Sequence, residues 1–291
     1  MLRTRILTAA VLLIVLLGFA WWAPPAGFDL LLLLIIAIAC FEWMRLLGVS
    51  KAFGLLSAAG LFGLCAYTLV NVSSVMAAAQ GIGAGVLPLY ALAAVIWLLA
   101  VPVSISKFAV IGGRRLSGRV LAFALCFATW LALIQADGLG KGFFVSVLLI
   151  VWVADTAAYF SGRAFGKRKL APSISPGKTW EGVAGAVIAN LVLAVVMASI
   201  PMVSVTNPAG SVFSFLQLSM GWGFLLIFTL LITLVSVMGD LYESLLKRLA
   251  GVKDSGVLLP GHGGVFDRID AVVAVIPVTM CVVTLIQSGS I

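Results

Sequence analysis

The stretch VMGDLYESLLKRLAGVKDSGVLLPGHGGVFDRID, residues 237–270, holds the densest set of reactive side chains in the chain. At a period of 3.6 residues, Asp240, Ser244, Lys247 and Arg248 fall at i, i+4, i+7 and i+8, on one helical face. A short loop follows with Lys253 and Asp254, then the turn Pro260-Gly261-His262-Gly263-Gly264, and Asp267 and Asp270 open a last apolar segment. Carboxylates without a cysteine or a second histidine favour a hard cation, and Mg²⁺ takes one or two carboxylates plus phosphate and water oxygens. Asp240 and Asp267, each expected at the end of a long apolar helix, form the best ligand pair. Lys247, Arg248, Lys253 and Arg268 are suited to neutralising phosphate oxygens, and the N–H groups of Gly261, Gly263 and Gly264 to lining an anion-binding concavity. Such parts suit phosphoryl or nucleotidyl transfer, which relies on positioning and charge neutralisation more than on a covalent protein nucleophile.

A second polar stretch, LIVWVADTAAYFSGRAFGKRKLAPSISPGKTWEG, covers residues 149–182. Asp155, Tyr159 and Arg163 share a helical face at i, i+4 and i+8, with Asp155 buried about two turns from the helix end. Two readings stand for Asp155: an ion pair with Arg163 or a loop lysine, and an added ligand of the cation. Ser175-Pro176-Gly177-Lys178-Thr179 invites comparison with a phosphate-binding loop, but that motif needs glycine five positions before Gly177, where Pro172 stands, and a preceding strand. The triplet reads instead as a loop that touches phosphate through Lys178. Ser175 or Thr179 would cap a helix beginning near Trp180, with Glu181 favoured in its first turn by the helix dipole.

The elements that carry these residues are membrane helices. Of 291 residues, 63% are hydrophobic and 10% charged, and the mean hydropathy is +1.23, which excludes a water-soluble enzyme. Apolar segments at about 6–22, 28–41 (extending to 47 if Glu42 and Arg45 snorkel), 53–72, 86–103, 120–135, 142–160, 182–203, 221–239 and 271–287 predict an all-α, polytopic integral membrane protein with about nine transmembrane helices. With nine crossings drawn, all Lys and Arg but Lys141 fall on one face, which places the N-terminus and both polar stretches on the cytoplasmic side and the C-terminus outside. Residues 1–135 would be N-terminal helices without an assigned role, and residues 136–291 the catalytic region. Arg3 and Arg5 before an apolar run resemble a signal peptide, but Trp21, Trp22 and Pro24-Pro25 replace a cleavage pattern, so the segment reads as an uncleaved anchor. Trp21, Trp22, Trp43, Trp180 and Trp222 suit aromatic belts, and the stretch near 204–219 a plain connector. Cys40, Cys65, Cys126 and Cys281 lie singly in apolar runs, without disulfide or zinc spacing. The net charge of +8 reports topology and anionic partners at a membrane surface rather than nucleic acid.

Juxtamembrane Lys and Arg are the ordinary consequence of topology, so no single one of them argues for catalysis. Acids are different. They contribute little to topology and cost about 2.5–3.5 kcal/mol at a helix centre on insertion scales, so their gathering on one leaflet points to function. A transporter would more often carry polar residues on several helices near the midplane, with inverted repeats.

The pattern Ser244-x-x-Lys247-Arg248-x4-Lys253-Asp254-x5-Pro260-x-His262-Gly263-Gly264-x-x-Asp267-Arg268-x-Asp270 closely resembles the signature of the phosphatidate cytidylyltransferase, or CDP-diacylglycerol synthase, family. Ser175-Pro176-Gly177-Lys178-Thr179-Trp180-Glu181-Gly182 is similar to a second stretch shared there, although some relatives carry lysine where Gly177 stands. The motifs cover about residues 150–275. The resemblance implies condensation of CTP with phosphatidic acid to give CDP-diacylglycerol and pyrophosphate at the cytoplasmic leaflet, dependent on Mg²⁺. It also implies association with dimers and with a monovalent cation such as K⁺ near the divalent one. On that chemistry Asp240 and Asp267 hold metal, with Asp155 as a third candidate. Lys178, Lys247, Arg248, Lys253 and Arg268 take phosphates, Ser244, His262, Gly263 and Gly264 contact substrate, and Asp254 and Asp270 orient the cations.

Overall fold

A computed structural model describes residues 11, 14–77, 83–200, 210–259 and 263–290. Among them, eight helices are long and apolar enough to cross a membrane: α1 Pro25–Leu46, α2 Lys51–Val70, α3 Gly85–Ser106, α4 Leu116–Gly138, α5 Lys141–Phe165, α6 Trp180–Ser199, α7 Val212–Ala250 and α8 Phe266–Gln287. The expected first segment, 6–22, falls largely outside the described residues, and its end at 14–22 is helical. Each rod forms because a long run of Leu, Ile, Val, Ala and Phe satisfies its backbone internally, as the absence of water in hydrocarbon requires.

The helix α8 runs through the middle of the bundle, packed by α1, α3, α4, α5 and α7. Residues 271–281 of α8 are buried without a break. By contrast α2 and α6 keep large apolar side chains such as Leu56, Tyr67, Ile188 and Val192 exposed, the composition of surfaces that face lipid. Close approach of α5 and α6 is set by glycines: a Cβ at Gly182 would meet the Ala158 carbonyl, and one at Gly162 the Thr179 hydroxyl.

Three departures from the sequence expectations matter. The polar segment after α5 is a β-hairpin, not a plain loop: β1 Lys169–Ala171 pairs antiparallel with β2 Ser175–Thr179, which carries the Gly-Lys-Thr triplet. The presumed connector before α7 is helical from Val212. Ser211 caps it by accepting from the Ser214 N–H (3.0 Å), Phe213 and Leu216 are buried, and the helix bends at Gly221, whose φ of 83° suits a residue without Cβ. Residues 201–209 of that connector lie outside the described set. Finally, Glu42 does not snorkel: it is 3% exposed, as Trp43 is 2% exposed beside it, so neither belongs to an interfacial belt.

At the far end of the bundle Lys141 pairs with Asp137 at 2.6 Å and lies over the Phe28 ring. The lone cation outside the main basic face thus has a local partner.

Candidate functional site

The helix α7 extends ten residues beyond Asp240 to Ala250. Its polar face therefore projects past the apolar run as a rod about 15 Å long at 1.5 Å per residue. Gly239 brings α8 against this rod, since a Cβ there would sit 2.9 Å from the Ala271 Cα. That contact sets the acids of α7 beside those at the start of α8. Carboxylate oxygens of Asp240, Glu243 and Asp270 lie within 4.8 Å of one another. Two lysines offset this charge: Lys178 reaches Asp240 from β2 at 2.6 Å, and Lys247 reaches Glu243 at 2.6 Å. The Glu243 Oε1 atom is buried with no hydrogen-bond partner among the described residues. An acid-rich group with an unpartnered buried oxygen fits a hard divalent cation, which these oxygen donors suit and for which cysteine and histidine are not needed.

Asp267 is placed differently from the expectation that paired it with Asp240. Its Oδ1 accepts from Lys247 at 2.7 Å, and its Oδ2 accepts from the Ser255 N–H (2.9 Å) and the Gly264 N–H (2.8 Å), with the Ser255 hydroxyl oxygen 3.0 Å away. A carboxylate offers about four acceptor sites. Asp267 thus spends its oxygens on folding the loop 252–259 back onto α8 and on Lys247. The third acid of the group is instead Glu243, which the sequence reading passed over although it stands at i+3 from Asp240, on the same face. The Gly264 N–H is consumed by Asp267 rather than turned to an outside anion. Gly263 has a φ of 81°, and its carbonyl accepts from the Leu259 N–H (2.9 Å). Gly261 and His262 lie outside the described residues.

The other candidates surround this group. Ser244 donates to Asp240 Oδ1 at 3.4 Å. The Arg248 Nε donates to the Ile174 carbonyl in the hairpin at 3.1 Å, which pins the hairpin against α7. Lys253, Asp254 and Arg268 are exposed on the same rim. Across from α7, a cavity of about 520 Å³ opens between α5, the hairpin and α6, and Asp155, Tyr159, Arg163, Ser175, Lys178 and Asp240 contribute to its lining. Asp155 is exposed to this space rather than buried in packing, and it lies within electrostatic reach of Asp240, Lys178 and Arg268. Arg163 is turned to the Tyr159 hydroxyl (3.3 Å) rather than to Asp155. Of the two capping candidates, Thr179 is the cap: its Oγ1 accepts from the Gly182 N–H at 3.1 Å. Glu181 accepts from the Lys167 and Arg168 N–H groups, tying the start of α6 to the turn into the hairpin.

The two polar stretches therefore meet at one rim of the bundle. Eight of the ten acids lie in or around it; the other two, Asp29 and Asp137, sit at the far ends of α1 and α4.

Residues 3–286 match the model of the cytidylyltransferase family. A phosphatidate cytidylyltransferase of Pseudomonas aeruginosa is 38% identical over 283 residues, 96% of this chain and 95% of the relative. One of Bacillus subtilis is 33% identical over 95% of each chain, and one of Haemophilus influenzae is 48% identical over 45% of this chain and 42% of the relative.

Proposed function

The chain belongs to the cytidylyltransferase family, and from that premise we propose that it is an integral-membrane phosphatidate cytidylyltransferase, which condenses CTP with phosphatidic acid to give CDP-diacylglycerol and pyrophosphate. The observation that carries this reading is the group of Asp240, Glu243 and Asp270 set beside Lys178, Lys247, Arg248, Lys253 and Arg268 at the end of apolar rods. A lipid phosphate and a nucleotide triphosphate must meet where hydrocarbon gives way to water, and they need both an acid group for a cation and cations for their own oxygens. The one-sided distribution of Lys and Arg supports placing this rim at the cytoplasmic leaflet.

In the reaction an anionic oxygen of the phosphatidic acid phosphate attacks the α-phosphorus of CTP. A new P–O bond forms as the bond from the α-phosphorus to the bridging oxygen breaks, and pyrophosphate leaves with that electron pair. The attacking monoester is already anionic at neutral pH, so no protein base has to remove a proton. Asp240, Glu243 and Asp270 would hold Mg²⁺, which when bound neutralises phosphate oxygens and favours the leaving group. Lys178, at the junction of the cavity and Asp240, is positioned to exchange its carboxylate partner for a substrate phosphate. Lys247 keeps Glu243 and Asp267 in register, and Lys253 and Arg268, exposed on the rim, attract the triphosphate.

The test is direct. Purified protein in vesicles containing phosphatidic acid, given CTP labelled in the cytosine ring and Mg²⁺, should move the label into lipid and release one pyrophosphate for each lipid formed. Release of CDP with a phosphorylated lipid alcohol, or no transfer of label, overturns the proposal.

A further inference from the structure

A carboxylate in the middle of packed apolar helices is costly unless donors surround it. Glu42, on α1, is such a group, and its partners are more than 200 residues away. Its Oε2 accepts from the Phe266 N–H at 2.8 Å and from the Ser255 hydroxyl at 2.9 Å. The first of these is one of the N–H groups that a helix leaves unsatisfied in its opening turn. The N-cap residue of α8 is Val265, which has no side-chain acceptor, so α1 supplies from outside the cap that α8 lacks. The dipole of α8 favours a carboxylate at this end.

The fit is close on every side. A Cβ on Gly256 or on Gly264 would overlap the Glu42 carboxylate, so glycine is required at these two positions by this side chain. Next to it, Trp43 stacks on Phe266 with ring centroids 4.9 Å apart. The Ser255 hydroxyl has one proton and two carboxylates in reach, Glu42 Oε2 and Asp267 Oδ2 (3.0 Å). With the proton directed to Glu42, the Ser255 oxygen is left to accept from the Asp267 N–H (3.3 Å). Asp267 keeps the N–H groups of Ser255 and Gly264 and holds Lys247, which holds Glu243. A continuous chain of polar contacts therefore runs from α1 to the group of three acids.

We propose that Glu42 is a positioning residue for the transfer reaction: its buried carboxylate caps α8 and orients Ser255, and through Ser255 and Asp267 it sets Lys247 and the acid group. Helix α1 thus contributes to the site, to which no sequence motif in it points. The catalytic part of this inference rests on the cytidylyltransferase reading; the latch itself does not.

Three variants of the chain test it, with hydrogen exchange and label transfer from CTP as the two measurements. Glu42→Leu removes both acceptor contacts. Amides of residues 252–259 and 264–268 should then exchange at least about tenfold faster while those of α5 and α6 do not change, and turnover should fall roughly 10–100-fold with a rise in the Mg²⁺ concentration for half-maximal rate. Glu42→Gln keeps an acceptor oxygen and should recover exchange protection and turnover to within about threefold. Ser255→Ala, the variant to use if Glu42→Leu does not fold, should lose turnover and shift the Mg²⁺ requirement while the Phe266 amide stays protected. Unchanged exchange in Glu42→Leu overturns the latch. A loss of turnover that only tracks the folded fraction, with the Mg²⁺ requirement unmoved, overturns the positioning role. If the wild-type protein transfers no label, the enzymatic reading falls, and the exchange data alone decide the latch.

Discussion

The two walls of the candidate site are built on different principles. On the α7–α8 side the acids are held: Asp267 makes four polar contacts, Lys247 bridges Glu243 and Asp267, and Glu42 closes the network from behind. On the side of α5, the hairpin and α6, charges stand open on a cavity of about 520 Å³, tethered to the opposite wall by the contacts of Lys178 with Asp240 and of Arg248 with Ile174. The first wall is preorganised, which the proposed cation site needs if its ligands are not to reorganise during the reaction. The second has room for a substrate and a lysine with one partner to exchange.

This contrast predicts different failures. The largest effect on turnover is expected from Asp240→Asn and Asp270→Asn, each lowering it by about 10²-fold or more through loss of cation binding and charge placement, with no fall in melting temperature because repulsion within the acid group is relieved. Asp267→Asn should lower activity too, but together with stability: breaking a mostly buried pair with Lys247 costs about 3–5 kcal/mol. Thermal unfolding measured beside turnover separates the two; an unshifted melting temperature in Asp267→Asn would erase the distinction between a ligand and an anchor. Lys178→Ala should reduce turnover about tenfold while leaving unfolding nearly unaltered, since its ion pair is partly exposed. Equal loss of stability there would make the second wall as structural as the first. The smallest effect is expected from Thr179→Ala, which removes the cap of α6 and should cost about 1 kcal/mol with turnover within a factor of a few.

Much of the site was legible because helical spacing and the cost of intramembrane charge are local properties. The α7 face and the meeting of both polar stretches at one rim follow from those two rules, whereas residue type narrowed the cap of α6 only to Ser175 or Thr179, and the structure chose Thr179. The choice of partners did not follow. Asp240 and Asp267 looked equivalent because both flank apolar runs, yet α7 continues past Asp240 while Asp267 is the second residue of α8. The two acids consequently meet different neighbours. The i+3 position of Glu243 was a usable signal; for Glu42 the only sign was an acid within an apolar helix, and snorkelling explained it equally well.

By itself, then, the order of residues determined that the chain lives in a membrane, where its rods run and which stretches gather its acids and cations. These depend on transfer free energy and on a period of 3.6, both of which are read along the chain. Which carboxylates gather and which become anchors was decided only by tertiary structure. That outcome depends on close approaches such as Gly239 against Ala271 and on hydrogen bonds between α1 and a loop more than 200 residues later. No property of either segment alone sets such a distance.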